Sequence, residues 1–116
     1  MTKLKLPHIA PVRFANFVIE KDDKKARTTL EFPQIPSLAM LVEAAAQSSA
    51  AFRKNDKESA YLVSLKGIKL LQQPSSMSLE AVIEDQHQLD KMRYVGFEIF
   101  EQNRLIANGT LVIAVQ

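Results

Sequence analysis

Apolar and polar positions along this 116-residue chain switch from a period of two to a helical period and back. Val12–Glu20 alternates in part, through Phe14, Phe17 and Ile19, as a half-buried strand does, and stops at the charged run Lys21–Lys25, read as a solvated hairpin turn. Lys25–Phe32, rich in Thr, predicts the strand that pairs back on it. Pro33 and Pro36 each push the preceding residue out of the helical region, so the stretch from Phe32 to Pro36 is expected to be extended. Ser37 stands where an N-cap would, and Ser37–Phe52 predicts one long helix, about 24 Å at ~1.5 Å per residue. Leu38, Leu41, Val42, Ala45, Ser49 and Phe52 share one face of it, while the opposite face carries Ala39, Ala46, Ala50 and Ser48 instead of charges. A helix small or apolar all round predicts burial on every side.

Arg53–Glu58 closes the helix with a cation-led polar turn, and the rest of the chain reads as strands. These are Ala60–Leu71, Met77–Glu84 with Met77, Leu79, Ala81 and Ile83 inward, Lys91–Gln102, and Arg104–Val115, separated by Gln73–Ser76, the polar stretch around His87, and Asn103. Long alternating strands with turn chemistry between them predict one antiparallel sheet. The expected architecture is α+β, a single domain over 1–116, with a curled sheet of about six strands around one long central helix.

Composition narrows the chemistry. With 47% hydrophobic and 24% charged residues, one domain can bury one core. Zero cysteines exclude a disulfide scaffold, a thiolate metal site and a cysteine nucleophile. His8 and His87 are too far apart for a local metal-binding pair, so no metal site is expected. Three glycines and no GxGxxG or GxxxxGK string argue against a nucleotide fold, and no cofactor is expected. The net charge of +2 is spread along the chain, Trp is absent, and Phe and Tyr number six and two, so there is little sign of a base-stacking surface and no nucleic-acid partner is expected. No apolar run approaches the roughly 20 residues that span a bilayer and the basic N-terminus lacks an apolar core, so a cytoplasmic protein without a membrane partner is expected.

Within the helix, Glu43 is the sole charged residue. If buried there, its carboxylate would need a hydrogen bond or a proton, and desolvation would raise its pKa toward the range a general acid or base uses; the plainer alternative is a side chain at a solvent edge. Gln47 lies four residues on, placed to orient or solvate that carboxylate. His8 and His87 read as surface or packing residues, and Ser48 and Ser49 lack the Gly-flanked elbow of a serine nucleophile.

Several strings resemble the hotdog-fold superfamily, and within it the 3-hydroxyacyl-ACP dehydratases of the FabA/FabZ type. Leu6-Pro7-His8 followed by Pro11 resembles their opening. Phe32-Pro33, then Pro36 and the run Leu41-Val42-Glu43-Ala44-Ala45-Ala46-Gln47, is similar to their His-Phe-Pro-Gly loop and the Glu-Ala-x-Ala-Gln start of their central helix. Leu105-Ile106-Ala107 and the tail to Val115 resemble their last strand. The resemblance implies an edge-to-edge homodimer or a higher oligomer of dimers. It also implies an acyl thioester on acyl carrier protein or coenzyme A, bound in a tunnel at the interface. It implies Glu43 as the catalytic acid, with Phe32, Pro33 and Gln47 in the substrate-binding region. The family's histidine is not carried over: Glu31 stands in its place, Gln34 replaces the following glycine, the loop to Glu43 is two residues short, and Pro74-Ser75-Ser76 replaces a Pro-Gly-Asp turn.

Three activities stay open: a hydroxyacyl-thioester dehydratase built on Glu43; an acyl thioesterase in which Glu43 activates water or attacks the carbonyl while helix amides at Leu38–Met40 hold the thioester oxygen; and a non-catalytic acyl-binding accessory subunit.

Overall fold

The computed structural model describes residues 1–6, 13–53 and 60–115. Its elements are β1 (Thr2–Lys3), β2 (Ala15–Lys21), β3 (Lys25–Glu31), α1 (Leu38–Ser48) with a 3₁₀ extension (Ser49–Phe52), β4 (Ala60–Leu70), β5 (Ser78–Leu89), β6 (Met92–Glu101) and β7 (Arg104–Val115). The strands form one antiparallel sheet in the order β1-β2-β3-β5-β6-β7-β4.

Alternation decides which face of the sheet carries the core. Ala26, Thr28 and Leu30 of β3, Leu79, Ala81 and Ile83 of β5, Val95, Phe97 and Ile99 of β6, and Leu111 and Ile113 of β7 are all buried. The intervening residues turn to the other face, where Lys25 pairs with Glu84 directly opposite (3.5 Å) and Arg27 with Glu80 on the diagonal (2.8 Å). Two-residue turns join β5 to β6 and β6 to β7, and each opens on a residue in the left-handed region, Asp90 (φ 56°) and Gln102 (φ 55°). Bulges bend the sheet: one in β5 between Asp85 and His87, another in β4 at Gly67, whose φ of 60° suits glycine.

Helix α1 packs across the inner face through Leu41, Val42, Ala44, Ala45, Gln47 and Ser48. Ser37 caps it as expected, its side chain accepting from the Met40 amide at 3.2 Å. The buried hydroxyls of Thr28 and Ser48 meet at 2.8 Å, so the helix touches β3 through a satisfied polar contact as well as through alkyl groups.

Four expectations need correction. The helix is short: eleven α-helical residues span about 16 Å, and the last four tighten into a 3₁₀ turn. Two serines sit at that junction, Ser48 donating to the Ala44 carbonyl and Ser49 to the Ala46 carbonyl, and such side-chain bonds compete with the regular backbone ladder. The sheet has seven strands, because Thr2 and Lys3 pair with Val18 and Phe17. Helix burial is one-sided: Ala39 and Glu43 are exposed and Ala46 and Ala50 half-buried, since a single sheet can cover only one side. Finally, Asp85–Gln88 continues β5, and Met77 precedes that strand and is exposed.

Glu101, at the end of β6, ties the β4–β5 connection to the β6–β7 turn. Its carboxylate accepts from the Ser75 amide (2.7 Å), the Ser75 hydroxyl (2.7 Å), the Ser76 amide (2.9 Å) and Arg104 (2.6 Å). The Ser75 bonds, side-chain then backbone, and Arg104 hold its pKa down at about 2, against an ordinary 4.5. A depressed carboxyl pKa adds stability that is complete above about 4.5 and disappears as the pH falls toward about 2. Glu101→Gln is therefore expected to melt below the wild type at pH 7, with the two melting curves converging near pH 2 in a pH series of thermal unfolding.

Candidate active site

Glu43 sits on the side of α1 that the sheet leaves open, and its side chain is exposed in the single chain. One helical turn on, Gln47 is 3% exposed and its two ends do different things. Its carbonyl oxygen accepts the amides of Phe14 (2.8 Å) and Ala15 (3.1 Å), and its NH2 donates to Glu43 Oε1 at 3.3 Å. The spacing of four correctly placed Gln47 beside the carboxylate. It gave no hint that Gln47 also anchors the start of β2, a contact between residues more than thirty positions apart.

Phe32 and Pro33 part company. The Phe32 ring is buried against Phe14, with centroids 5.0 Å apart and planes tilted by 34°, and its amide donates to the Met77 carbonyl, so it belongs to the core beneath the helix entry. Pro33 is exposed at the head of the loop that leads to the helix. Glu31, which occupies the place of the family's histidine, is exposed at the end of β3 and accepts the Ser78 hydroxyl at 2.7 and 2.8 Å. At the helix N-terminus the Met40 amide is taken by Ser37 Oγ, which leaves Leu38 and Ala39 as the amides able to face a thioester oxygen.

His8 lies outside the described residues. His87 lies within β5, stacked on Tyr94 with 4.2 Å between ring centroids, and Lys66 Nζ stands 5.4 Å from the same ring. On the sheet's outer face a depression of about 350 Å³ is lined by Gly67, Gly96 and Gly109 together with Lys66, Gln86 and Thr110, and neither Glu43 nor Gln47 reaches it. Among the described residues no group of three or more His, Cys, Asp or Glu side chains could hold a metal, and no helix is long and apolar enough to cross a membrane.

No protein-family model matches the chain, and no curated protein sequence matches it significantly. Solved structures do. A chain of the dehydratase heterocomplex ApeI:P from Xenorhabdus doucetiae superposes with a TM-score of 0.78 at 16% identity, over 96% of this chain and 88% of that one. A mutant thioesterase from Pseudomonas aeruginosa gives 0.68 at 14% identity, over 87% and 80%. A hypothetical thioesterase from Streptococcus pneumoniae, crystallised with coenzyme A, gives 0.69 at 14% identity, over 86% and 84%. The chain has the hotdog fold. In this hotdog fold the wrapping is half complete: the sheet covers the side of the helix that carries Leu41, Ala44 and Ala45 and leaves the Glu43 side uncovered.

Two substitutions separate scaffold from chemistry. Gln47→Leu strands two buried amides and is expected to cost about 3 kcal/mol of unfolding free energy, read from denaturant titration. Glu43→Gln changes an exposed group and is expected to shift the same curve by no more than about 0.5 kcal/mol.

Proposed function

We propose that this chain binds acyl thioesters carried by acyl carrier protein or coenzyme A and acts on them as a 3-hydroxyacyl-thioester dehydratase with Glu43 as its catalytic carboxylate. The observation that carries the reading is the Glu43–Gln47 pair: the single carboxylate of an otherwise uncharged helix, held at 3.3 Å by an amide that is itself fixed to the backbone of β2. Likeness in fold to a dehydratase heterocomplex and to thioesterases supports the same substrate class. In the elimination, a base takes the proton from the carbon next to the thioester carbonyl, the C–O bond beyond it breaks, and the hydroxyl leaves as water after protonation. Glu43 serves that proton transfer, and Phe32 and Pro33 flank the entry to the helix.

A thioesterase is the second reading, favoured by the exposed Glu31 at the histidine's place and by the Leu38 and Ala39 amides at the helix N-terminus. There Glu43 takes a proton from water, the water oxygen bonds to the carbonyl carbon, and the C–S bond breaks to release the carrier thiol. A binding subunit without turnover is the third.

Dimerisation belongs to the same proposal. The β1 edge of the sheet is two residues long, with Lys3 in it and Lys5 just beyond, whereas the β4 edge runs for eleven residues and exposes Tyr61, Leu62, Val63 and Leu65. Pairing β4 with its copy joins two sheets into one and brings a second subunit beside the uncovered helix face.

Intact-mass analysis after incubation with a short 2-enoyl thioester on acyl carrier protein is expected to show a gain of one water on the retained thioester, and Glu43→Gln is expected to abolish it. Free carrier thiol assigns the thioesterase; unchanged substrate assigns the binding subunit. Light scattering at micromolar concentration is expected to give a dimer, and a monomer sinks the interface tunnel.

A further inference from the structure

The depression of about 350 Å³ on the sheet's outer face lies across β5, β6, β7 and β4, away from the helix. Its floor is the row Glu84, Gly96, Thr110 and Lys66, directly opposed residues on successive strands. Gly96 leaves that row without a side chain at its centre, where strand alternation would otherwise raise one. The gap is occupied from the side. Gln86 is the extra residue of the β5 bulge, unpaired between Asp85 and His87, and its amide lies across Gly96. Its Nε2 stands 2.5 Å from where a Cβ on Gly96 would be, so the hollow and the placing of this amide both require the glycine. Glu98 and Asn108, opposite each other in the next row, and the bulge at Gly67 complete the rim.

The polar groups that converge here are unspent. Elsewhere along the sheet Glu31 accepts from Ser78, Glu80 from Arg27, and Glu101 from Ser75, Ser76 and Arg104. Among the described residues, the side chains of Gln86, Glu98, Asn108 and Thr110 make no hydrogen bond or ion pair, and Lys66 meets only the Tyr94 ring, its Nζ 5.4 Å from the centroid. Their chemistry selects a class of ligand. Lys66 and Glu98 cancel, and at the margin Lys25 is paired with Glu84 at 3.5 Å, so the hollow carries no net charge to draw a phosphate or a cation. Its amides and its hydroxyl each donate and accept, as the hydroxyls of a polyol do. Val82 adds a half-buried apolar wall for the C–H face of a ring. The volume is at the small end of ligand sites.

We propose that this hollow binds a neutral polyhydroxylated ring, a sugar or a cyclitol, with Gln86 beneath it and Lys66, Glu98, Asn108 and Thr110 around it. The site lies on the opposite face of the sheet from Glu43 and stands independently of the acyl-thioester reading.

The test is an amide NMR titration of the isotopically labelled full chain with glucose, myo-inositol and glucose 6-phosphate. Glucose or myo-inositol is expected to move the signals of Gln86, Gly96, Asn108 and Thr110 saturably, with a millimolar dissociation constant, and to leave those of α1 in place. Glucose 6-phosphate is expected to bind no tighter than glucose. Gly96→Ala, whose methyl group displaces the flexible end of Gln86, is expected to weaken binding about tenfold. The double change Glu98→Ala with Asn108→Ala, at exposed and half-buried surface positions, is expected to do the same, and its otherwise unchanged spectrum shows that the fold survives. Saturation by glucose alone assigns a pyranose, by myo-inositol alone a cyclitol, and by both the ring of hydroxyls they share. If neither moves the hollow's signals saturably, or if both variants bind as the wild type does, the site is overturned. Binding of glucose 6-phosphate about tenfold tighter than glucose overturns the neutral class and makes the hollow an anion seat.

Discussion

The buried amide of Gln47 is the constraint on which the geometry of this domain turns. A helix lying on a sheet through alkyl contacts alone can slide and rotate, because dispersion and hydrophobic burial are non-directional. The carbonyl oxygen of Gln47 removes that freedom by accepting two successive amides at the start of β2. Those amides would otherwise be buried donors without acceptors, at a point where β2 begins and its ladder to β3 shifts register. The Thr28–Ser48 hydroxyl contact pins the helix to β3 in the same way. Between them these polar bonds set both the position of α1 along the sheet and its rotation about its own axis.

That rotation decides what the helix presents. With Leu41, Val42, Ala44 and Ala45 turned to the sheet, Glu43 faces the side that the sheet does not reach. The same amide that locks the helix also donates to Glu43, so the scaffold and the candidate site share one side chain. The carboxylate is thereby oriented without being buried, and its environment in the working protein depends on what covers the open side.

The two sheet edges differ in a way that bears on the same question. Strand β1 is too short to offer more than a few unpaired backbone groups, and Lys3 within it and Lys5 after it are charged, a common way of blunting an edge. Strand β4 has neither protection along its apolar half, and it is continuous through β7 with the strands that form the floor of the core. The convergence of Arg13 and Arg53 on the Leu4–Lys5 carbonyls adds a third feature at the β1 end, where positive charge concentrates in a chain whose net charge is only +2.

What the sequence determined by itself were the features written in local periodicity: the hairpin through Lys21–Lys25, the Ser37 cap, the long alternating strands and the helix carrying Glu43. These follow from backbone sterics and from which side chains recur at two- or three-to-four-residue spacing, and both act over a few residues. Local pattern overstated the helix because Ser48 and Ser49 fit a helix of small residues, while their hydroxyls compete with the ladder in three dimensions. It ended β5 too early at a polar run that a bulge and the stacking of His87 on Tyr94 accommodate. Tertiary structure alone decided that Gln47 serves β2, that Phe32 is core while Pro33 is surface, and that Arg13 and Arg53 donate to the successive carbonyls of Leu4 and Lys5. Each of these joins residues far apart in sequence. Such meetings are chosen by burial of the whole sheet and by the demand that every buried polar group find a partner, a condition no local window contains.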